Sequence, residues 1–132
     1  MRVSAFKISE GETVPGAILE RLRQFNLRNG FVTGIGGLEY AEIGVYNPAT
    51  KTYQVFKHRS KDSGIFEVSS LQGNYLLKPD GELSLHLHVV IGGEEGVFTG
   101  HLLTGVVKPM LEIYAVEVDE DLSKAFTHRW LR

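Results

Sequence analysis

The pattern of apolar and polar positions changes period along the chain, and each change predicts a different element. Residues 2–8 alternate in the way that indicates a short strand. Between about residues 14 and 28, apolar residues recur at intervals of three and four, which is typical of an amphipathic helix. Thr13 is placed to cap the start of this helix, and Asn29-Gly30 is a typical stop. The pattern therefore predicts one main helix near the start of the chain.

Beyond the helix, the pattern is that of strands rich in aromatic and β-branched residues. The strongest turn signals are residues 47–50 and 78–81, whereas GIGG at 34–37 predicts a bulge or a close backbone approach. Strands are predicted over 31–35, 41–46, 52–56, 65–77, 83–91, 97–107 and 110–118. Residues 119–126 predict a short C-terminal helix with Asp119 as its cap. A largely antiparallel twisted sheet packed by one main helix is an α+β domain.

Composition narrows the class of protein. The 132 residues fit a single domain spanning 1–132, with 42 % apolar and 23 % charged residues. No apolar run is long enough to cross a membrane, and no signal-peptide pattern is present, so we expect a cytoplasmic protein. The absence of cysteine excludes disulfides and thiolate metal sites. A net charge of −2 gives nucleic-acid binding little support.

Three of the five histidines lie within one predicted hairpin, residues 83–105. His86 and His88 are two positions apart in a strand, so their side chains project from the same face. With a four-residue loop at 93–96, His101 lies directly opposite His88 and joins them. A five-residue loop would turn His101 to the other face, and both loop lengths are common.

Three imidazoles on one face are the protein ligands of an open zinc site, in which a small ligand takes the fourth position. Nickel, copper and iron also bind imidazole, so the spacing indicates a divalent metal without identifying it. The alternative is a group of surface histidines, or a polar cluster held by hydrogen bonds. His58 and His128 have no partner at ligand spacing and are interpreted as ordinary surface residues.

Two acidic residues, Glu67 and Glu112, interrupt apolar strands. A carboxylate in such a strand needs a solvent-facing position or a polar partner, because burying its charge alone is costly. One hypothesis is that they support the histidines from outside the coordination sphere. The alternative is simple exposure on a face of the sheet.

Four segments, in order and at natural spacing, resemble the plants and prokaryotes conserved (PPC) domain family, as a stand-alone prokaryotic member. GETVPGAILERLRQF is similar to the helix after the family's opening strand, and FVTGIGGLEYAEIGVY to its glycine-rich strand pair. FEVSSLQGNYLL is similar to its FEILSLSG segment. The most specific match is LHLHVVIGGEEGVFTGHLLTGVV, an LHLH strand followed by a GHL strand. The resemblance covers nearly all of the chain.

The resemblance implies an α+β fold, a homotrimer, and a metal, commonly zinc, bound by the histidines of the LHLH and GHL elements. In this sequence those residues are His86, His88 and His101. It also brings a DNA-binding label, which comes largely from plant members that carry an AT-hook. This chain has no Arg-Gly-Arg-Pro hook, and it has Ile65 where the plant Gly-Arg-Phe-Glu motif has arginine.

Three hypotheses of function are consistent with the sequence and the resemblance. The first is a metal-binding homotrimer with a regulatory or ligand-binding role, in which the open metal position takes a small anion. The second is DNA binding or a transcription-associated role, which rests on the family label. The third is a metal-dependent, hydrolase-like enzyme, with zinc-bound water as nucleophile and Glu67 or Glu112 as general acid or base. The sequence favours the first, and it favours a non-enzymatic role.

Overall fold

The computed structural model describes residues 2–62 and 64–128. Most of its regular structure is β. The strands are β1 (Val3–Ser9), β2 (Thr13–Val14), β3 (Gly30–Asn47), β4 (Thr52–Arg59), β5 (Phe66–Leu77), β6 (Leu83–Gly93) and β7 (Gly96–Glu117). They form one sheet in the order β1-β7-β6-β5-β3-β4, with β2 paired to β7. Every one of these pairings is antiparallel, which confirms the predicted type of sheet.

The sheet closes on itself. β3 pairs with β5 along one side and with β7 along the other, while β6 lies between β5 and β7. Because these four strands form a ring, alternate side chains point into a closed interior. That interior is mainly aliphatic, with Val32, Leu71, Leu87 and Leu111 among its fully buried residues. The opposite side chains of the same strands form an outer face, and His86, His88 and His101 lie on it.

β7 is one continuous strand, although the sequence predicted two strands separated at Lys108-Pro109. Pro109 lies where the pairing of β7 with β3 shifts register, between the pairs Gly36–Leu111 and Leu38–Val107. A proline is tolerated at such an irregularity, because no regular ladder hydrogen bond is required there. A Cβ atom at Gly36 would overlap the carbonyl oxygen of Met110, so the close approach predicted for the GIGG segment is confirmed.

The helix α1 (Gly16–Gln24) is shorter than the predicted span of about 14–28. At its start, Thr13 and Val14 pair with β7 instead of capping the helix, and Pro15 takes the N-cap position. At its end, the chain leaves the helix through Asn26, whose φ is 55°. Ile18 and Leu22 are fully buried on the inner face, which contacts β1, β2 and β6.

The predicted C-terminal helix over 119–126 is wrong in type and length. The segment forms one 3-10 turn at Leu122–Lys124, capped by Asp121 rather than Asp119. Leu122 is buried, whereas Phe126 is exposed. The domain is sheet-rich and consistent with the α+β class. Within residues 2–62 and 64–128, no helix has the length and hydrophobicity that crossing a membrane requires.

Candidate metal centre

The register of the β6–β7 hairpin brings the histidines together. Glu94 and Glu95 form its turn, and Gly93 pairs with Gly96 on either side of them. This pairing is the one expected from the four-residue loop, and it places His88 directly opposite His101. The five-residue alternative, which would have sent His101 to the inner face, is excluded. Leu87, between the two histidines of β6, points into the core.

His86, His88 and His101 form a compact cluster. The ring centroid of His86 lies 4.9 Å from that of His88 and 4.7 Å from that of His101. One nitrogen from each ring lies within 4.8 Å of the other two. The Nε2 atoms of His86 and His88 are 3.1 Å apart. Since Zn–N bonds of about 2.0–2.1 Å place tetrahedral ligands roughly 3.3 Å apart, this pair has ligand spacing; a hydrogen bond between the rings also fits it.

The state of the cluster also suits a metal. Nδ1 of His101 is buried and has no hydrogen-bond partner among the described residues. Burial, with the neighbouring His86, His88 and His128, lowers the pKa of His101 to about 4. The pKa of His86 is lowered by burial and then by His88. Both rings are therefore neutral at pH 7, which is the form of imidazole that coordinates metal. The donor set fits a divalent ion.

His128 lies beside the cluster, and the interpretation of it as an ordinary surface residue is wrong. Its ring centroid is 5.7 Å from that of His86. Its Nδ1 is 2.6 Å from Oγ of Ser84, and its Nε2 is 2.5 Å from Oδ1 of Asn74. Burial, followed by His86, lowers the pKa of His128 to about 4. Both ring nitrogens are thus satisfied, and the neutral ring forms a wall behind His86.

Glu67 and Glu112 lie apart from the histidines. Glu67 pairs with Gly92, four positions along β6 from His88, or about 13 Å at the usual rise. Glu112 lies in the part of β7 that pairs with β3, opposite Ile35. At that level β3 and β5 lie between it and β6, which is roughly 14 Å across the sheet. Both side chains are exposed. Their supporting role stays a prediction, and no contact among the described residues supports it.

His58 is packed elsewhere. Its ring stacks on Phe98 with centroids 3.9 Å apart, and it meets the edge of Phe66 at 6.4 Å. Neither partner belongs to the cluster. His58 therefore serves as a natural control for experiments on the other histidines.

A cavity of about 700 Å³ opens beside the cluster. His86, His101 and His128 line it on one side, and the turn between β3 and β4 lines it on the other. Small-molecule sites commonly have volumes of about 300–1,000 Å³. The cluster thus lies at the edge of a space that can hold a small molecule.

Comparison with known proteins identifies the family. A profile of the Plants and Prokaryotes Conserved domain, abbreviated PCC or PPC, matches residues 1–119. The chain belongs to this family. A PPC protein from Pyrococcus horikoshii is 34 % identical over 92 % of this chain and 82 % of that chain, with a TM-score of 0.80. The resemblance drawn from the four sequence segments is confirmed.

Two further solved structures share the PPC fold. A protein from Archaeoglobus fulgidus, described as metal-containing, has a TM-score of 0.82 at 24 % identity, over 92 % of this chain and 82 % of that one. A Bacteroides thetaiotaomicron protein described as a candidate DNA-binding protein has a TM-score of 0.81 at 23 % identity, over 90 % and 80 %. At these identities the likeness establishes the fold. Among curated proteins, none matches the chain significantly.

Proposed function

We propose that this PPC-domain protein binds a divalent metal ion, with zinc as the expected ion, through His86, His88 and His101. The observation that carries the proposal is the convergence of three imidazoles, one of which has a buried nitrogen that finds no hydrogen-bond partner within residues 2–62 and 64–128. Three imidazoles form the protein ligand set of an open tetrahedral zinc site. The Archaeoglobus protein that shares this fold is described as metal-containing, which is in keeping with a metal in this fold.

The role we propose for this centre is ligand binding or regulation. Three neutral imidazoles leave the charge of a divalent ion uncompensated, so the fourth position favours a small anion. His86 and His101 line the cavity, so a molecule held there can reach a metal bound by the cluster. No base for hydrolysis is assigned, because neither Glu67 nor Glu112 contacts the cluster. The metal would supply an attachment point for an anionic oxygen.

Metal content tests the proposal. Protein purified without a histidine tag is analysed by inductively coupled plasma mass spectrometry, beside the double variant His86→Ala/His88→Ala and the control His58→Ala. We expect about one metal ion per chain in the wild type and in the control, and almost none in the double variant. Circular dichroism establishes that all three proteins are folded. Equal metal content in the wild type and the double variant would sink the proposal.

We propose further that the protein is a homotrimer. The outer face of β3 and β7 exposes Phe31, Ile35 and Tyr114, each between 45 % and 58 % accessible. Exposed apolar patches of this kind mark interaction surfaces. Light scattering during size-exclusion chromatography should give three chain masses for the wild type. Tyr114→Asp should lower that mass, whereas Val97→Asp, at a more exposed apolar site on the β6–β7 hairpin, should not. A monomeric wild type would contradict this assembly.

DNA binding and metal-dependent hydrolysis stay predictions. The net charge of −2 offers phosphate little attraction, since sequence-independent DNA affinity comes from basic side chains. Titration of a labelled duplex at physiological salt tests the first function. Loss of ester or phosphate hydrolysis on chelation tests the second.

A further inference from the structure

The cavity beside the histidine cluster has a charged side and an apolar side. Its charged side chain is Lys51, in the turn between β3 and β4, and no carboxylate is among its described lining residues. The other polar side chains among the described lining residues are histidines, hydroxyl groups and tyrosines, none of which carries a negative charge to oppose that of the lysine. The electrostatics of this space therefore favour an anion.

The backbone at Lys51 is unusual for a lysine. Its φ is 58°, a left-handed conformation that glycine adopts at lower cost. The turn is held by Asn47, whose Oδ1 accepts from the amide of Ala49 and whose carbonyl oxygen accepts from the amide of Lys51. Glycine would fit this turn better, so the lysine contributes nothing to its geometry. Its side chain, however, supplies the cavity with its positive charge.

The apolar side of the cavity begins at the histidines themselves. The ring of Tyr53 meets the edge of His101 at 5.4 Å, and Tyr46 meets Tyr53 at 5.3 Å. Leu85 and Leu103 line the same space. An aromatic and aliphatic wall thus extends from the proposed metal towards the β3–β4 turn. Such a wall binds a flat or branched hydrocarbon group through apolar contact.

We propose that the cavity binds a small organic monoanion, a carboxylate that carries an aromatic or branched alkyl group. The carboxylate would face the metal and Lys51, and the hydrocarbon group would lie along Tyr46, Tyr53 and the leucines. This inference rests on the proposed metal centre and adds to it the chemical class of the ligand. It predicts that affinity depends both on the carboxylate and on the hydrocarbon group of the ligand.

Three matched probes test the two parts separately in calorimetric titrations of the zinc-loaded protein. Phenylacetate carries both groups, acetate has only the charge, and phenethylamine has the ring with the opposite charge. We expect phenylacetate to bind at least about tenfold more tightly than acetate, because burying a phenyl group adds apolar stabilisation. Phenethylamine should not bind measurably. Equal affinities for phenylacetate and acetate, or binding of phenethylamine, would overturn the inference.

The variant Lys51→Gly removes the positive charge from the cavity without disturbing the turn. Because glycine suits the left-handed turn, this variant should be at least as stable as the wild type and should bind phenylacetate about fivefold more weakly. Lys57→Ala, on the same hairpin but away from the cavity, is the control and should bind as the wild type does. Unchanged affinity in Lys51→Gly would contradict the assigned role of the lysine.

Metal analysis of the same samples keeps the two proposals distinct. A sample that never retains zinc contradicts the proposed metal centre. A zinc-loaded sample that does not bind phenylacetate contradicts the proposed class of ligand but leaves the proposed metal centre standing. Equal phenylacetate affinity with and without zinc overturns the placement of the carboxylate at the metal.

Discussion

Nε2 of His128 donates a hydrogen bond to Oδ1 of Asn74 over 2.5 Å, joining the C-terminal segment to the strand beside the cluster. Asn74 is the pairing partner of His86 across β5 and β6. The other nitrogen of His128 contacts Ser84, two residues before His86. The segment after the 3-10 turn therefore closes one side of His86, and it lies beyond residues 1–119 matched by the family profile.

Replacing His128 should make the bound metal dissociate faster without abolishing metal binding. In His128→Ala, Asn74 and Ser84 lose their partner and water gains access to one side of His86. Removing an outer hydrogen-bonded neighbour typically weakens metal affinity by about 10- to 100-fold. We expect full metal content but dissociation to a chromogenic chelator at least about tenfold faster. His58→Ala should release metal at the wild-type rate. Equal dissociation rates in all three proteins would contradict the proposed role of His128.

Acid should destabilise the metal-free protein more than its carboxylates alone would. A histidine in an unfolded chain has a pKa of about 6.5, whereas His101 and His128 titrate at about 4 in the fold. Between these values the unfolded chain binds more protons, so the free energy of unfolding falls as the pH is lowered. Because both rings are only half-buried, solvent screening leaves about 1 kcal/mol for each.

Urea unfolding of the metal-free protein at pH 7, 5.5 and 4 measures this loss. His101→Asn lacks the titrating ring, so its free energy of unfolding should depend less steeply on pH than that of the wild type. Parallel curves for the two proteins would show that His101 does not contribute.

At alkaline pH the protein should lose stability because the hydroxyl of Tyr75 ionises. This residue is fully buried, and its hydroxyl donates to the carbonyl oxygen of Val116 at 3.0 Å. Burial, followed by Glu117, raises the pKa of Tyr75 to about 12, against about 10 in an unfolded chain. A raised folded pKa means that the stabilisation is complete below pH 10 and is lost as the pH rises towards 12. The loss should be about 2 kcal/mol.

Tyr75→Phe provides the comparison. At pH 7 it should be less stable than the wild type by about 1 kcal/mol, because the carbonyl of Val116 loses its donor. Between pH 10 and 12 its stability should fall less than that of the wild type. Chemical unfolding across this range measures both effects, and an equal alkaline loss in the two proteins would exclude Tyr75 as the cause.

Gly73 should tolerate no side chain. A Cβ atom there would overlap the carbonyl oxygen of His86 and lie 2.8 Å from Cδ2 of Leu87. Gly73→Ala must separate β5 from β6 beneath the cluster, and we expect a loss of about 2–3 kcal/mol in unfolding free energy together with weaker metal binding. Gly16→Ala meets no atom within 4 Å and should change stability by less than about 0.5 kcal/mol. Thermal unfolding distinguishes the two.

The parts of the fold and site that the sequence predicts are those set by local rules. Two-residue spacing places His86 and His88 on one face, and loop length limits His101 to two registers. The KPDG turn forms as predicted, with the amide of Gly81 donating to the carbonyl of Lys78. These features depend on neighbours in sequence or on one hairpin, so periodicity and turn chemistry reveal them.

The features that escaped prediction depend on distant partners. Thr13 looks like a helix cap, but it pairs with Val106. His128 has no periodic relation to the cluster, because its position is fixed by Ser84 and Asn74, more than forty residues earlier. No spacing pattern in the sequence carries either contact. Sequence reasoning therefore predicted that His86, His88 and His101 come together, but it did not predict that His128 packs beside them.

The pairing of β1 with the end of β7 has a consequence for biosynthesis. Val3 pairs with Val116, so β1 leaves the ribosome more than a hundred residues before its partner. At about 5–20 residues per second, that interval lasts on the order of ten seconds. During this interval, each strand of the ring that has already been made lacks β7, which closes the ring. The ring therefore cannot close before β7 has emerged, and its unpaired strand edges are open to chaperones until then.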